Sequence, residues 1–459
     1  MSGPLDASAT AELVRSGTLS PAEAVEAVLE TIAAAEPAVN AFTVLRADEA
    51  LTEAKALEAK EPHGPLHGVP VSVKDVVWTR GMRTTDGTEA YADFVPDEDA
   101  VAVERLRAAG AIVVGKTNNP ELCLDGITDN AIFGLTRNPW SLDRTPGGSS
   151  GGAAASVAYG GPLALGSDGG GSIRIPASFC GVAGLKPTFG LVPNRPGFRG
   201  WPTLSVCGPI ARSVRDLALA LDVLAGPDPR DPASFAGRVL PAVEPGALRI
   251  AASEDLGFAA VDPAVRTAFR AAVDRLAGEG HAVEEAHPAT GDPAELWTTI
   301  ALAEGHASHR RLLGRLGERA QAFVEAGSRA SAAAYLDALD ERGRFAREWL
   351  SFFEGYDVLL TPAMQLTAFP VGQVMPTEID GRPVDPERED WCAFCYALNL
   401  TGQPGISVPC GFDQDGLPIG LQVVGRRFGE ATILGLAAAW EKLEPWADRV
   451  PPVPAEVAP

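Results

Sequence analysis

Basic charge is the first thing this chain lacks. Its 459 residues carry 60 acidic side chains against 38 basic ones, a net charge of −22. The electrostatic footprint of a nucleic-acid or anionic-membrane partner is basic, so this balance argues against both. Long apolar runs are missing too: no stretch of roughly 18 or more apolar residues suggests a membrane span. The opening MSGPLDASAT has no basic region leading into an apolar one, so no signal peptide is read there and a cytoplasmic location is expected. The six cysteines (Cys123, Cys180, Cys207, Cys392, Cys395 and Cys410) are spread thinly, which predicts free thiols, not a disulfide framework. Cys392 and Cys395 form a C-x-x-C, but it sits in the helix-like WCAFCYALNL with no second pair to complete a zinc site. His306-x-x-His309 likewise lacks a third ligand, so neither metal nor cofactor is expected.

Lysine is scarcer still. Only Lys55, Lys60, Lys74, Lys116, Lys186 and Lys442 are present, and five of them read easily as helix-face, loop or element-end residues. Lys74 does not. In VPVSVKDVV, Val69, Val71 and Val73 alternate with Pro70, Ser72 and Lys74, the period-2 signature of a strand. An ammonium there either snorkels to water or is partly buried, and burial lowers a lysine's pKa and can make it a base.

What is present is ordinary apolar content, 46 %, enough for a large core. Residues 1–60 read as helices packed on the core, with Ser20-Pro21-Ala22-Glu23 as a capped helix start. After Pro62 short apolar strands and Gly-rich turns take over. Helices are read over 97–109, 213–225, 262–278, 293–352 and 429–443, and strands over 111–114, 247–252, 356–360, 405–409 and 419–424. This alternation predicts one large α/β domain, its mixed and mostly buried sheet covered by helices on both faces. Residues 61–230 and 231–450 belong to that one domain, and 451–459 read as a tail.

Two local patterns mislead. Gly110-AIVV-Gly115-Lys116-Thr117 matches a phosphate loop, yet Ala-Ile-Val-Val is a strand where a flexible loop is needed, and Asn118-Asn119-Pro120 follows where a helix should begin. Gly147–Gly152 fits G-x-S-x-G around Ser149 or Ser150, but the polar NPWSLDRTP precedes it where a nucleophile elbow needs a strand.

A wider constellation is more specific. Gly68-Val69-Pro70-Val71-Ser72-Val73-Lys74-Asp75 is followed by Gly115-Lys116-Thr117-Asn118 and Pro146-Gly147-Gly148-Ser149-Ser150-Gly151-Gly152. Gly166-Ser167-Asp168-Gly169-Gly170-Gly171-Ser172-Ile173-Arg174 and Gly181-x-x-Gly184-Leu185-Lys186-Pro187-Thr188 come next. Asn399-Leu400-Thr401-Gly402-x-Pro404, Pro409-Cys410-Gly411 and Gly416-Leu417-Pro418-Ile419-Gly420-Leu421-Gln422 close the series. This order resembles the amidase signature family, hydrolases that cleave amides with a Ser-Ser-Lys triad, over nearly the whole chain and most strongly over 62–225.

The resemblance implies Ser172 as nucleophile, Ser149 as bridging serine after a cis peptide, and Lys74 as base. The chemistry demands such a set, because a serine hydroxyl is a poor nucleophile without an adjacent base. It further implies an oxyanion hole from the N–H groups of Gly169, Gly170, Gly171 and Ser172. Ser150, Asp168 and Arg174 are read as supporting residues, with Ser150 an alternative relay. Phe198, Trp201 and the helical region 293–352 are candidates to line the substrate pocket. The expected reaction is hydrolysis of small amides, with anilides, esters or carbamates (urethanes) as further options, by a monomer or homodimer whose only partners are substrate and water. The alternative within the family is the glutamine-hydrolysing subunit of tRNA-dependent amidotransferases. Against it stand PNRPGFRGWPTLSVCGPIARS after Phe189-Gly190-Leu191-Val192, and Ile175 where that subunit typically has Gln.

Overall fold

A computed structural model describes residues 5–236, 246–385, 390–447 and 449–452, so most of the expected tail lies outside the described residues. In chain order the strands are β1 (Phe42–Leu45), β2 (Pro70–Lys74), β3 (Ile112–Thr117), β4 (Leu163–Asp168), β5 (Ala183–Lys186), β6 (Val206–Ala211), β7 (Arg249–Ala252), β8 (Ala282–Glu285) and β9 (Val358–Pro362). The short β10 (Glu378–Ile379) and β11 (Arg382–Pro383) pair with each other, and β12 (Gly405–Phe412) and β13 (Pro418–Gly425) end the series. Eleven of them form one mixed sheet in the order β1-β3-β2-β4-β6-β5-β12-β13-β9-β7-β8. The chain is a single α/β domain built on that sheet.

The valine alternation of β2 sets which way its side chains point. Val71 and Val73 enter a core shared with Leu217, Leu221, Ile433 and Trp440 from helices on one face. Ser72 and Lys74 therefore face the opposite layer, where Ser72 Oγ lies 3.3 Å from Ser156 Oγ of helix Gly151–Tyr159. That helix is Ala/Gly-rich and buried along its whole length, which lets it lie close against the sheet. β2 runs parallel to both β3 and β4, so the ends of three strands meet at one edge of this layer. Crevices outside the carboxyl ends of parallel strands are the usual ligand sites of such sheets.

The capping box at Ser20 forms in both directions: Glu23 N–H donates to Ser20 Oγ (3.1 Å) and Ser20 N–H to Glu23 Oε2 (2.7 Å). The 97–109 helix begins later, at Val101, and the 111–114 strand runs on to Thr117, so Lys116 and Thr117 are strand residues and no phosphate loop exists. β1 interrupts the first sixty residues, which the sequence reads as helical throughout; it forms because Phe42–Leu45 can pair with β3. Lys116 and Lys186 lie at strand ends, as their element-end reading allows, and both are fully buried, like Lys74. Lys116 Nζ donates to Val77 O, Thr79 Oγ1 and Thr84 Oγ1, so it organises the loop after β2. Burial pushes Lys116 down to about 8 and Lys186 down to about 7, the latter helped by the nearby Arg174 charge. Among the described residues all six cysteines are free, and no helix is long and apolar enough to cross a membrane.

Trp440 anchors the helix Glu430–Leu443 on the sheet; it is 2 % exposed and its Nε1–H donates to Pro409 O (2.9 Å). Trp440→Ala removes that packing and leaves a cavity, so urea denaturation should show a loss of ~3–5 kcal/mol.

Candidate active site

β2 ends by placing Lys74 Nζ 2.6 Å from Ser149 Oγ and 3.0 Å from Ser167 Oγ, with the whole lysine side chain shielded from water. Ser149 follows a cis Gly148–Ser149 peptide. Position 148 admits only glycine, since a Cβ there would meet Ile127 O at 2.1 Å. Ser150 sits one residue on, at the start of the buried helix. Its N–H donates to Ser172 O (3.1 Å) and its hydroxyl to Ser167 O (3.1 Å), so Ser150 stitches the two Gly-rich turns together and holds no contact with Lys74.

The turn after β4 carries Ser172. Asp168, the last residue of β4, accepts from Gly171 N–H (2.9 Å), Ile173 N–H (3.2 Å) and the Arg174 guanidinium (Nε and Nη2, each 3.0 Å). Arg174 reaches on to Gln422 Oε1 (3.0 Å), Cys395 O (3.0 Å) and Asn399 Oδ1 (2.8 Å). Asn399 in turn donates to Asp168 O (3.1 Å). Burial alone would raise the Asp168 carboxyl, but the Arg174 guanidinium beside it prevails and holds it well below the usual carboxylate range.

Gly171 has φ +122, and a Cβ there would meet Cys395 at 2.8 Å, so the turn is closed to other residues. Ser172 is 9 % exposed, its hydroxyl without a hydrogen-bond partner among the described residues. The Lys74–Ser149 link is thus made in this structure and the Ser149–Ser172 link is not, although the backbones of Ser150 and Ser172 touch. One expected oxyanion donor needs revision: the Gly171 N–H is committed to Asp168, which leaves those of Gly169, Gly170 and Ser172.

A pocket opens beside these groups, walled by Trp78, Asp86, Cys123, Ser167, Phe198 and Trp201. Phe198 stacks on Tyr91 (4.7 Å between centroids) and packs edge-on to Trp78 (5.8 Å). Trp201 donates from Nε1 to Ala301 O (3.0 Å) and meets Trp297, whose own Nε1–H donates to Gly169 O (2.9 Å). The helix Ala294–His309 therefore touches both the pocket and the turn that bears Ser172. Sequence reasoning missed Ser167, Trp78, Asp86 and Cys123 here, whereas Trp297 falls inside the 293–352 region it named. Only Ser167 lies inside one of the signature motifs; the others are brought in by tertiary contacts without a local pattern.

Known proteins resemble this chain over nearly its whole length. The Amidase family profile matches residues 23–434. An acylamidase of Rhodococcus erythropolis is 40 % identical over 467 residues, covering 97 % of each chain. A glutamyl-tRNA(Gln) amidotransferase subunit from Roseiflexus sp. (strain RS-1) is 38 % identical, again with 97 % of each chain covered. Among solved structures, a bacterial aryl acylamidase of the amidase signature family superposes with a TM-score of 0.90 at 31 % identity over 97 % of both chains.

The ion pair under the turn yields a stability prediction. Arg174→Met leaves Asp168 buried without its cation, and equilibrium unfolding at pH 7 should show a loss of ~3–5 kcal/mol. A carboxyl held low contributes stability above its unfolded pKa and loses it as pH falls through the folded value. The gap between wild type and Arg174→Met should therefore narrow as the pH is lowered below about 4.

Proposed function

We propose a mechanism from one premise: the chain belongs to the amidase signature family. It is an amide-hydrolysing enzyme. In the proposed cycle Ser172 Oγ attacks the substrate carbonyl while its proton passes through Ser149 to the Lys74 amine. The oxyanion gathers N–H donors from Gly169, Gly170 and Ser172. The proton returns through Ser149 to the leaving nitrogen, the amine departs, and water hydrolyses the acyl-Ser172 ester by the same relay in reverse. The observation that carries this reading is the 2.6 Å contact between buried Lys74 Nζ and Ser149 Oγ, beside the turn that bears Ser172. Ser150 is a support and not the relay, because its hydroxyl is engaged with the Ser167 backbone.

The pocket beside the relay carries the rings of Trp78, Phe198 and Trp201 among polar residues such as Asp86, Asn194 and Ser205, which suits small aryl or alkyl amides, and the acyl-serine logic extends to esters and carbamates. The kinship to amidotransferase subunits keeps a second reading in view, glutamine hydrolysis for a tRNA-bound acceptor. Ile175 speaks against it: the side chain packs against Gly147 and Gly171, an apolar wedge at the position where that subunit typically carries glutamine.

Two measurements test the proposal. A fluorophosphonate probe should label the wild type and not Ser172→Ala, and kcat of Ser172→Ala should fall by about 10⁴–10⁶-fold. Equal labelling of both proteins would overturn the nucleophile assignment. In a panel of 4-nitroanilides, primary amides and aryl carbamates, the protein alone should turn over at least one class. Silence on all of them, with glutamine hydrolysis appearing only when a partner protein is added, would favour the amidotransferase reading.

A further inference from the structure

Two strained segments meet at the wall of the pocket nearest Lys74. Asp86 (φ +51), Leu122 (φ +53) and Cys123 (φ +57) all hold left-handed backbone, and Asp86 O accepts from Leu122 N–H (2.8 Å). The first segment is pinned to the end of β2, because Asp75 accepts from Thr85 N–H (2.9 Å) just before Asp86. Non-glycine residues keep such conformations where surrounding structure over-determines them, and these cluster at functional sites. What the clasp presents is a carboxyl. Asp86 is 2 % exposed and lines the pocket. Its Oδ1 accepts from Cys123 Sγ–H (3.3 Å), and its Oδ2 has no hydrogen-bond partner among the described residues.

An acid that lines the pocket with one oxygen already accepting and the other unpartnered is arranged to donate from the second. We propose that Asp86 is a specificity-determining residue of this enzyme: its Oδ2–H donates a hydrogen bond to an acceptor oxygen (ketone, ether or second carbonyl) carried by the substrate away from the scissile bond. The proposal rests on the amidase reading and names what its pocket selects. Burial pushes the Asp86 carboxyl up to about 8, and the Cys123 thiol and Lys74 oppose this without reversing it. The titratable groups facing Asp86 are Lys74, Asp75, Lys116, Tyr91, Glu121 and Cys123, and Arg199 and His309 line the same pocket. Near neutral pH the group is the protonated acid, a donor; above its titration it becomes an acceptor only. A buried carboxylic acid kept neutral to donate a hydrogen bond has precedent in enzyme sites.

The test compares two substrate pairs matched in size, one varied on each side of the scissile bond: 4-oxopentanoyl against 4-methylpentanoyl anilide, and the acetanilides of 4-methoxy- against 4-ethylaniline. At pH 7 the wild type should prefer the oxygen-bearing member of one pair by about tenfold in kcat/KM, the worth of a good hydrogen bond. That preference should fall between pH 7 and 9. Asp86→Asn, whose amide still donates, should keep the preference and lose its pH dependence. Asp86→Leu should bring the ratio to about one. Because each ratio is internal to one protein, poor folding of a variant does not affect it. Turnover without preference in the wild type, a preference retained by Asp86→Leu, or one abolished by Asp86→Asn would each overturn the assignment. No turnover of any of the four substrates would instead strike the amidase reading beneath it.

Discussion

The buried pair of Asp168 and Arg174 is the constraint on which the rest of the site depends. It is made inside one turn, yet it draws in Gln422 of β13, and Cys395 and Asn399 of the helix Ala393–Thr401, at distances of 2.8–3.0 Å. A charged pair removed from water is stabilising only when its remaining hydrogen-bonding capacity is filled, and here each partner makes several further hydrogen bonds. The consequence is geometric. The turn that carries Ser172 is fixed to β4 at one end and to the far half of the sheet through Arg174, so its three glycines do not translate into a loose loop.

A second consequence concerns where polarity is tolerated. Lys74, Lys116, Lys186, Asp75, Asp86 and Asp168 are all buried in one neighbourhood, an arrangement no ordinary core would accept. Lys116 satisfies itself on the loop after β2, Asp75 on Thr85, and Asp168 on Arg174. Each is a fastener for a segment that borders the pocket. Lys74 differs in its partners, two serine hydroxyls, which is the placement a proton acceptor in acyl transfer requires.

Much of this is legible in the sequence. The period-2 valines around Lys74 predict a strand, which forms as Pro70–Lys74, and of the two states left open for the ammonium the structure has the buried one. The signature pieces scattered from residue 68 to 422 turn out to converge: Asn399 and Gln422, more than 220 positions from Arg174, are its direct partners. Several features leave no local trace. β1 carries too few residues for a pattern and exists through pairing with β3. The buried state of Lys116 and Lys186 depends on what the rest of the fold packs around them, for Lys116 the loop residues Val77, Thr79 and Thr84. Asp86 and Cys123 are brought to the pocket by backbone conformations that single residues do not announce, and the use of the Gly171 N–H by Asp168 follows from a turn geometry that three consecutive glycines leave open.

The central claim is that the hydroxyl held by this clasped turn becomes acylated. The most direct measurement is peptide mass spectrometry of enzyme quenched in acid during turnover of an aryl carbamate or activated amide, where deacylation is slow enough for the adduct to accumulate. The account predicts one acyl mass on the peptide bearing Ser172. The same mass on the peptide bearing Ser149 and Ser150, with Ser172 unmodified, would contradict it.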